Sequence, residues 1–171
     1  MKIFIKNIYD KYESINSGDV VIDIGAHVGM FTVKAARKVA NSGLVVAIEP
    51  EENFRGVTEL IVSELSGTHK LALYPNPENP KDKKTVPIDT LDNIIQELGL
   101  RRIDFIKIDA EGAELDILKG AQNVLQFTKY LAIAAYHTPN EANEIKTFLE
   151  KHGFRVIIGD GILYAFRGTK E

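Results

Sequence analysis

Cysteine is absent from this 171-residue chain, which excludes disulfides, a thiolate nucleophile and a cysteine-ligated zinc site. A cysteine-free chain suits a reducing compartment, and the cytoplasm is the expected location. No apolar run approaches the ~20 residues that a bilayer-spanning helix requires. The first twelve residues carry Lys2, Lys6, Asp10 and Lys11 without a long apolar core, the wrong pattern for a signal peptide. Basic charge is also lacking: the formal net charge is −3, where a nucleic-acid binder usually shows a basic excess or stripe. Nucleic acid is therefore not an expected partner. There is no Gly-x-Ser-x-Gly nucleophile elbow, no phosphate-binding loop ending in Gly-Lys-Ser/Thr and no internal repeat.

Apolar residues make up 44% of the chain, enough for a full core. A domain of this length buries ~70% of the surface its unfolded chain would expose. Short β-branched runs alternate with helical periodicity, which favours an α/β fold with a mainly parallel sheet. Strands are expected at 20–24, 44–49, 57–62, 69–74, 103–108 and 131–136, with helices at 30–40, 91–98, 113–118 and 140–152. The last two runs, 154–158 and 162–166, face each other across Gly159-Asp160-Gly161 and form a hairpin. The reading is a single doubly wound sheet with a C-terminal antiparallel hairpin, residues 18–171, preceded by an N-terminal extension, 1–17. A polar segment with three prolines, 75–84, reads as an exposed loop.

The densest signal is Val20-Val21-Ile22-Asp23-Ile24-Gly25-Ala26-His27-Val28-Gly29, with Glu49 24 residues after Gly25. A buried strand runs into a turn at Gly25, and Gly29 is expected to let the next helix pack close against the strand. Glu49, ending the second strand, is placed to accept hydrogen bonds from two ribose hydroxyls. This is a seat for an adenosine-containing cofactor. A dinucleotide fingerprint needs glycine two residues after the first, so that backbone can touch a pyrophosphate. That position is His27, which leaves an NAD-binding protein as the weaker alternative.

Asp-x-Gly-x-x-x-Gly resembles motif I of class I S-adenosylmethionine (SAM) methyltransferases. Further along, Ile103-Asp104-Phe105-Ile106-Lys107-Ile108-Asp109-Ala110-Glu111-Gly112-Ala113-Glu114, continuing to Ala121, resembles the signature of FkbM-type methyltransferases. The likeness runs from about Gly18 to His137 and includes Val86 to Asp92. It implies the class I SAM-methyltransferase fold, SAM as cofactor and a methyl acceptor that is a small molecule or carbohydrate-like, a sugar or glycolipid hydroxyl among the choices. It also implies that the glycine turn lies against the methionine and ribose parts of SAM. The reversed final strand of such enzymes matches the predicted hairpin. Base-directed amino-methyltransferases carry Asn/Asp-Pro-Pro-aromatic after the fourth strand, where this chain has Asp109-Ala110-Glu111-Gly112. A SAM-binding interaction module without turnover is the alternative from a different class.

Ligands in such sheets sit at the carboxyl ends of strands. That rule puts Asp23, Glu49, Ser63, Glu64, Asp109, Tyr136 and His137 around one crevice; with Gly25, Ala26, His27 and Gly29 of the turn, the cofactor-binding candidates are Asp23, Gly25, Ala26, His27, Gly29, Glu49, Ser63, Glu64 and Asp109. Asp23 is as readily a brace for the turn as a contact for the SAM ammonium, and His27 is expected to contribute backbone. His137 is the expected general base, because an imidazole titrates near working pH at a strand end. Asp109 and Glu111 join it as catalytic candidates, although Glu111 equally suits a helix N-terminus. Asp109, Glu111 and His137 also form a mixed carboxylate–imidazole set, but such a set is not specific, and no metal is expected. Only six residues, 51–56, separate Pro50 from Val57, too few for a strand-helix-strand crossover of at least ~10–12 residues. A truncated helix, a differently paired strand or residues missing from the chain each explain this, and missing residues are the preferred reading.

Overall fold

The structure is a computed structural model that describes residues 8–49, 69–72, 85–137 and 140–168, with 69–72 and 85–88 described as backbone. The elements run β1 (Val20–Ile24), α1 (Met30–Val39), a 3₁₀ turn (Ala40–Ser42), β2 (Leu44–Ile48), β3 (His69–Ala72) and β4 (Thr85–Ile88). They continue α2 (Leu91–Glu97), β5 (Ile103–Ile108), α3 (Glu114–Lys119), α4 (Gln122–Gln126), β6 (Thr128–Ala134), α5 (Glu141–Lys151), β7 (Arg155–Gly159) and β8 (Ile162–Phe166). Six strands form the main sheet in the order β2-β1-β5-β6-β8-β7. Strands β2, β1, β5 and β6 are parallel, and β8 runs antiparallel to both its neighbours. Strands β3 and β4 pair antiparallel in a separate two-stranded sheet.

Every residue of β5 is buried, as expected of a continuous apolar run in a sheet covered on both faces. Side chains alternate between the faces with period two. Ile22, Ile24, Ile106, Ile108, Leu131, Ile133 and Leu163 share one aliphatic cluster, under helices that contribute Leu91, Ile95, Leu118, Leu125, Ile145 and Leu149. Val21, Phe105, Tyr130, Ala132 and Tyr164 belong to the opposite cluster, with Ala35 and Val39 of α1 and Ile15. Segment 8–15, expected as part of an extension, lies along this second, aromatic face. Tyr130 and Tyr164 donate their hydroxyls to the carbonyls of Tyr9 and Ile8 (3.2 and 2.5 Å). Asp10 is anchored by Lys34 and Lys38 of α1, both at 2.7 Å.

Most expected elements are present within two residues, and β1, β5 and β8 coincide with their predicted limits. Strand β6 begins at Thr128 and ends at Ala134, so Tyr136 and His137 stand beyond the strand and not at its last position. The helix Gln122–Gln126 was not expected. The predicted strand 57–62 and the question of the segment after Pro50 lie outside the described residues.

The strand order reverses between β1 and β5, since the chain leaves β1 for β2 on one side and returns to β5 on the other. The carboxyl ends of β1, β2, β5 and β6 therefore flank one crevice.

Candidate active site

Two turns meet at this crevice. In the first, after β1, Gly25 has φ +72°, and a Cβ there would lie 1.8 Å from the carbonyl oxygen of Asp109 in the second turn. Gly25 is thus fixed by both its conformation and the closeness of β5. Gly29 also has a positive φ, +77°, but a Cβ there would meet only Thr32 Cβ at 4.0 Å. The expectation that Gly29 serves close helix packing is corrected: it serves the left-handed residue before α1, and the close approach belongs to Gly25.

Amide donors in this turn are spent inside the protein. Gly25 and Ala26 donate to the carbonyl of Ile48 (2.9 and 3.3 Å), and His27, itself at φ +49°, donates to Glu49 Oε2 at 2.7 Å. Such a turn offers no ready amide cradle for a pyrophosphate, and Glu49 would repel one. The arrangement fits a phosphate-free, cationic cofactor. Asp23 sits beneath the turn, 0% exposed. It accepts from Thr32 Oγ1, and its Oδ1 lies 3.0 Å from Lys107 Nζ, a buried ion pair. The Lys107 protons are aimed at the carbonyls of Gly25 (2.6 Å) and Ile24 (3.3 Å). Asp23 and Lys107 together hold the turn from below, which gives Asp23 the bracing partners of its two expected roles.

The second turn, 109–113, gathers the acidic residues. Asp109 Oδ2 accepts from the Tyr9 hydroxyl at 2.6 Å, which brings the N-terminal segment to the site. Burial and that hydrogen bond to a carboxylate hold the Tyr9 phenol well above its usual range. Glu111, at φ +52°, turns outward with its side chain 89% exposed. Glu114, not among the sequence candidates, is 0% exposed and accepts from the Ala110 amide at 2.8 Å. Burial raises the Glu114 carboxyl above the usual carboxylate range, and the neighbouring Glu141 adds to the effect. His137 follows β6 with its amide donated to Glu141 Oε2 at 2.8 Å. Its ring packs beside Tyr136, centroids 4.4 Å apart, and faces Glu114 Oε1 at 3.4 Å, Asp109 Oδ1 at 3.7 Å and Glu111 Oε2 at 3.7 Å. The candidates Asp109, Glu111 and His137 are therefore brought together, and Glu114 completes the group. Only its place in the signature, three residues beyond Glu111, distinguished Glu114 in the sequence. Ser63 and Glu64 lie outside the described residues.

The family model described as "Methyltransferase FkbM domain" matches residues 53–156. The chain belongs to the FkbM methyltransferase domain family. It is 24% identical over 210 residues to methyltransferase sdnD of Sordaria araneosa, covering 91% of this chain and 80% of that protein. It is 23% identical over 220 residues to the 31-O-demethyl-FK506 methyltransferase FkbM of Streptomyces tacrolimicus, covering 96% and 84%. Both aligned stretches exceed the 171 residues of this chain, so each relative carries interior residues that this chain lacks. Among solved structures, fibrillarin of Aeropyrum pernix with natively bound SAM matches with a TM-score of 0.53 and 14% identity, covering 88% of this chain and 67% of that one. That likeness concerns the fold, a class I SAM-methyltransferase sheet.

As an FkbM-family chain, the protein is a SAM-dependent methyltransferase. The crevice carries acidic side chains on both sides, Glu49 just past β2 and Asp109 and Glu111 after β5. Among the described residues no helix is long and apolar enough to cross a membrane.

Proposed function

We propose that this chain transfers the methyl group of SAM to a hydroxyl of a small or carbohydrate-like acceptor. The reading rests on one observation above the rest: His137 and three carboxylates converge beside the turn that carries the cofactor seat, where an acceptor hydroxyl must lose its proton. Glu49, with the Gly25–Gly29 turn, holds the ribose and methionine parts, and Asp23 keeps that turn in place from below. The methyl carbon leaves sulfur as its bond to the acceptor oxygen forms, the hydroxyl proton departs into the recess, and S-adenosylhomocysteine remains. Exposed apolar side chains, Val28 in the first turn, Met30 at the start of α1 and Tyr136 just past β6, suit an acceptor with a nonpolar face. The sdnD and FkbM relatives support a small-molecule acceptor, and the cysteine-free sequence supports a cytoplasmic location.

The test is transfer of labelled methyl from SAM to a panel of sugars, glycolipids and polyketide-like alcohols. Product is expected with at least one hydroxyl compound. His137→Ala should lower the rate ~10²–10⁴-fold while SAM affinity stays nearly intact. Activity retained in that variant removes His137 from the chemistry. The interior residues missing relative to sdnD and FkbM favour a second reading, a SAM-binding module without turnover. Tight S-adenosylhomocysteine binding with no transfer to any acceptor class would select it.

A further inference from the structure

We infer that the recess is a divalent metal site, with Asp109, Glu114 and His137 Nε2 as its protein ligands. The inference rests on the proposed reading of this recess as the acceptor's side of the crevice, and gives His137 a more specific task there, that of ligand.

Geometry is the first support. One donor atom from each residue lies within 4.8 Å of the other two, and Nε2 stands 3.4 Å from Glu114 Oε1 and 3.7 Å from Asp109 Oδ1. Around a cation with bonds of ~2.1 Å, neighbouring ligand atoms sit roughly 3.0–3.5 Å apart. None of these separations is a good hydrogen bond; the Nε2–Glu114 pair already has the spacing of two ligands on one ion, and the wider Nε2–Asp109 pair must close by a few tenths of an ångström on binding one.

Orphaned donors are the second, independent support. Asp109 Oδ1, Glu114 Oε2 and His137 Nε2 are buried without a good hydrogen bond, the Glu114 side chain is 0% exposed, and its neighbour Glu141 is a second acid that brings no positive charge. Asp109 Oδ2 is tied down by Tyr9, which holds Oδ1 in place, and Glu114 Oε1, the oxygen 3.4 Å from Nε2, is fixed by the Ala110 amide and keeps a second lone pair for an ion. Buried carboxylates require a cation or a proton. Asp23, in the same crevice, has Lys107, whereas among the described residues neither Asp109 nor Glu114 pairs with a lysine or arginine. Glu111 Oε2 lies 3.7 Å from Nδ1, on the solvent side of the imidazole and beyond hydrogen-bond reach. It replaces neither ligand: the set suggested by sequence, with Glu111 inside it, gives way to one containing Glu114.

One imidazole and two carboxylates suit Mn²⁺, Fe²⁺ or Zn²⁺. Three protein ligands leave positions open for acceptor oxygens, and a hydroxyl bound there is more readily deprotonated, its proton passing to solvent beside exposed Glu111. The site therefore favours an acceptor that presents two neighbouring oxygens.

The experiment titrates metal-stripped protein with Mn²⁺, reading free Mn²⁺ by electron paramagnetic resonance, and separately with Zn²⁺ by calorimetry. Binding of S-adenosylhomocysteine serves as the parallel readout of a folded cofactor site. One ion per chain is expected. His137→Ala and Glu114→Gln should each weaken it at least ~10-fold, with Asp116→Asn on the exposed side of α3 unchanged. Protein that binds S-adenosylhomocysteine but neither ion overturns the inference, as does equal ion affinity in the His137 and Glu114 variants. Failure to bind S-adenosylhomocysteine, with the ion still bound, counts against the cofactor reading alone.

Discussion

The turns after β1 and β5 each rest on a carboxylate with no exposure, Asp23 under the first and Glu114 under the second, and the two are compensated differently. Asp23 has its cation built into the next strand: Lys107 reaches it and locks the turn through the carbonyls of Ile24 and Gly25. Glu114 has an amide, His137 and the neighbouring carboxyl of Glu141, but among the described residues no lysine or arginine. The first turn carries its own counter-charge, Asp23 Oδ1 meeting Lys107 as an ion pair without a hydrogen bond, and acts as a fixed seat. The second keeps unpartnered atoms facing inward, the property expected of a site that receives something from outside.

The contact between the two turns is the place to break this pair most severely. Gly25→Ala would drive a methyl into the Asp109 carbonyl at a left-handed position, and stability should fall by more than ~4 kcal/mol. Gly29→Ala has the same φ problem with open space, and should cost only ~1–2 kcal/mol. Urea unfolding of both variants checks this, and equal losses would mean that the turns are not in close contact.

Removing the cation from the compensated turn comes next. Lys107→Met leaves Asp23 buried and unpaired, and a loss of ~3–5 kcal/mol is expected. A loss below ~1 kcal/mol would show that the Asp23–Lys107 pair does not hold the turn.

The smallest effect lies at the uncompensated turn. Because burial raises the folded-state pKa of Glu114, its protonated form is favoured by folding. Its contribution is fully present below the unfolded carboxyl pKa and is lost as pH rises through the raised folded value. In metal-chelating buffer, wild-type stability should therefore decline across that window relative to Glu114→Gln. Parallel curves of urea midpoint against pH would contradict the assignment.

What was legible in the sequence divides along the same lines. Ile103–Ile108 and Ile162–Phe166 could be read to the residue, because a buried strand in a covered sheet is a short apolar run with clear borders. Strand β6 could not: Thr128 and Lys129 disguise its start, although Thr128 is wholly buried with its hydroxyl on the Val124 carbonyl. The five-residue α4 has no side-chain cap and too few turns to show a period. At the site, glycines and strand-end carboxylates marked the crevice, but not which carboxylate faces inward. Glu111 and Glu114 differ by the left-handed backbone at Glu111 and Gly112, which turns one outward and the other into the core. The Tyr9–Asp109 hydrogen bond joins residues 100 positions apart, and no local pattern announces it.

The most direct measurement is calorimetric titration of S-adenosylhomocysteine into the wild-type protein and Glu49→Ala, with NAD as the control ligand. One site per chain is expected, with no heat from NAD and binding weakened by about 1–3 kcal/mol in the variant, the cost of unpairing a ribose hydroxyl. Folded protein that gives no heat with S-adenosylhomocysteine, or an affinity unchanged by Glu49→Ala, would contradict the placement of the cofactor between β1 and β2.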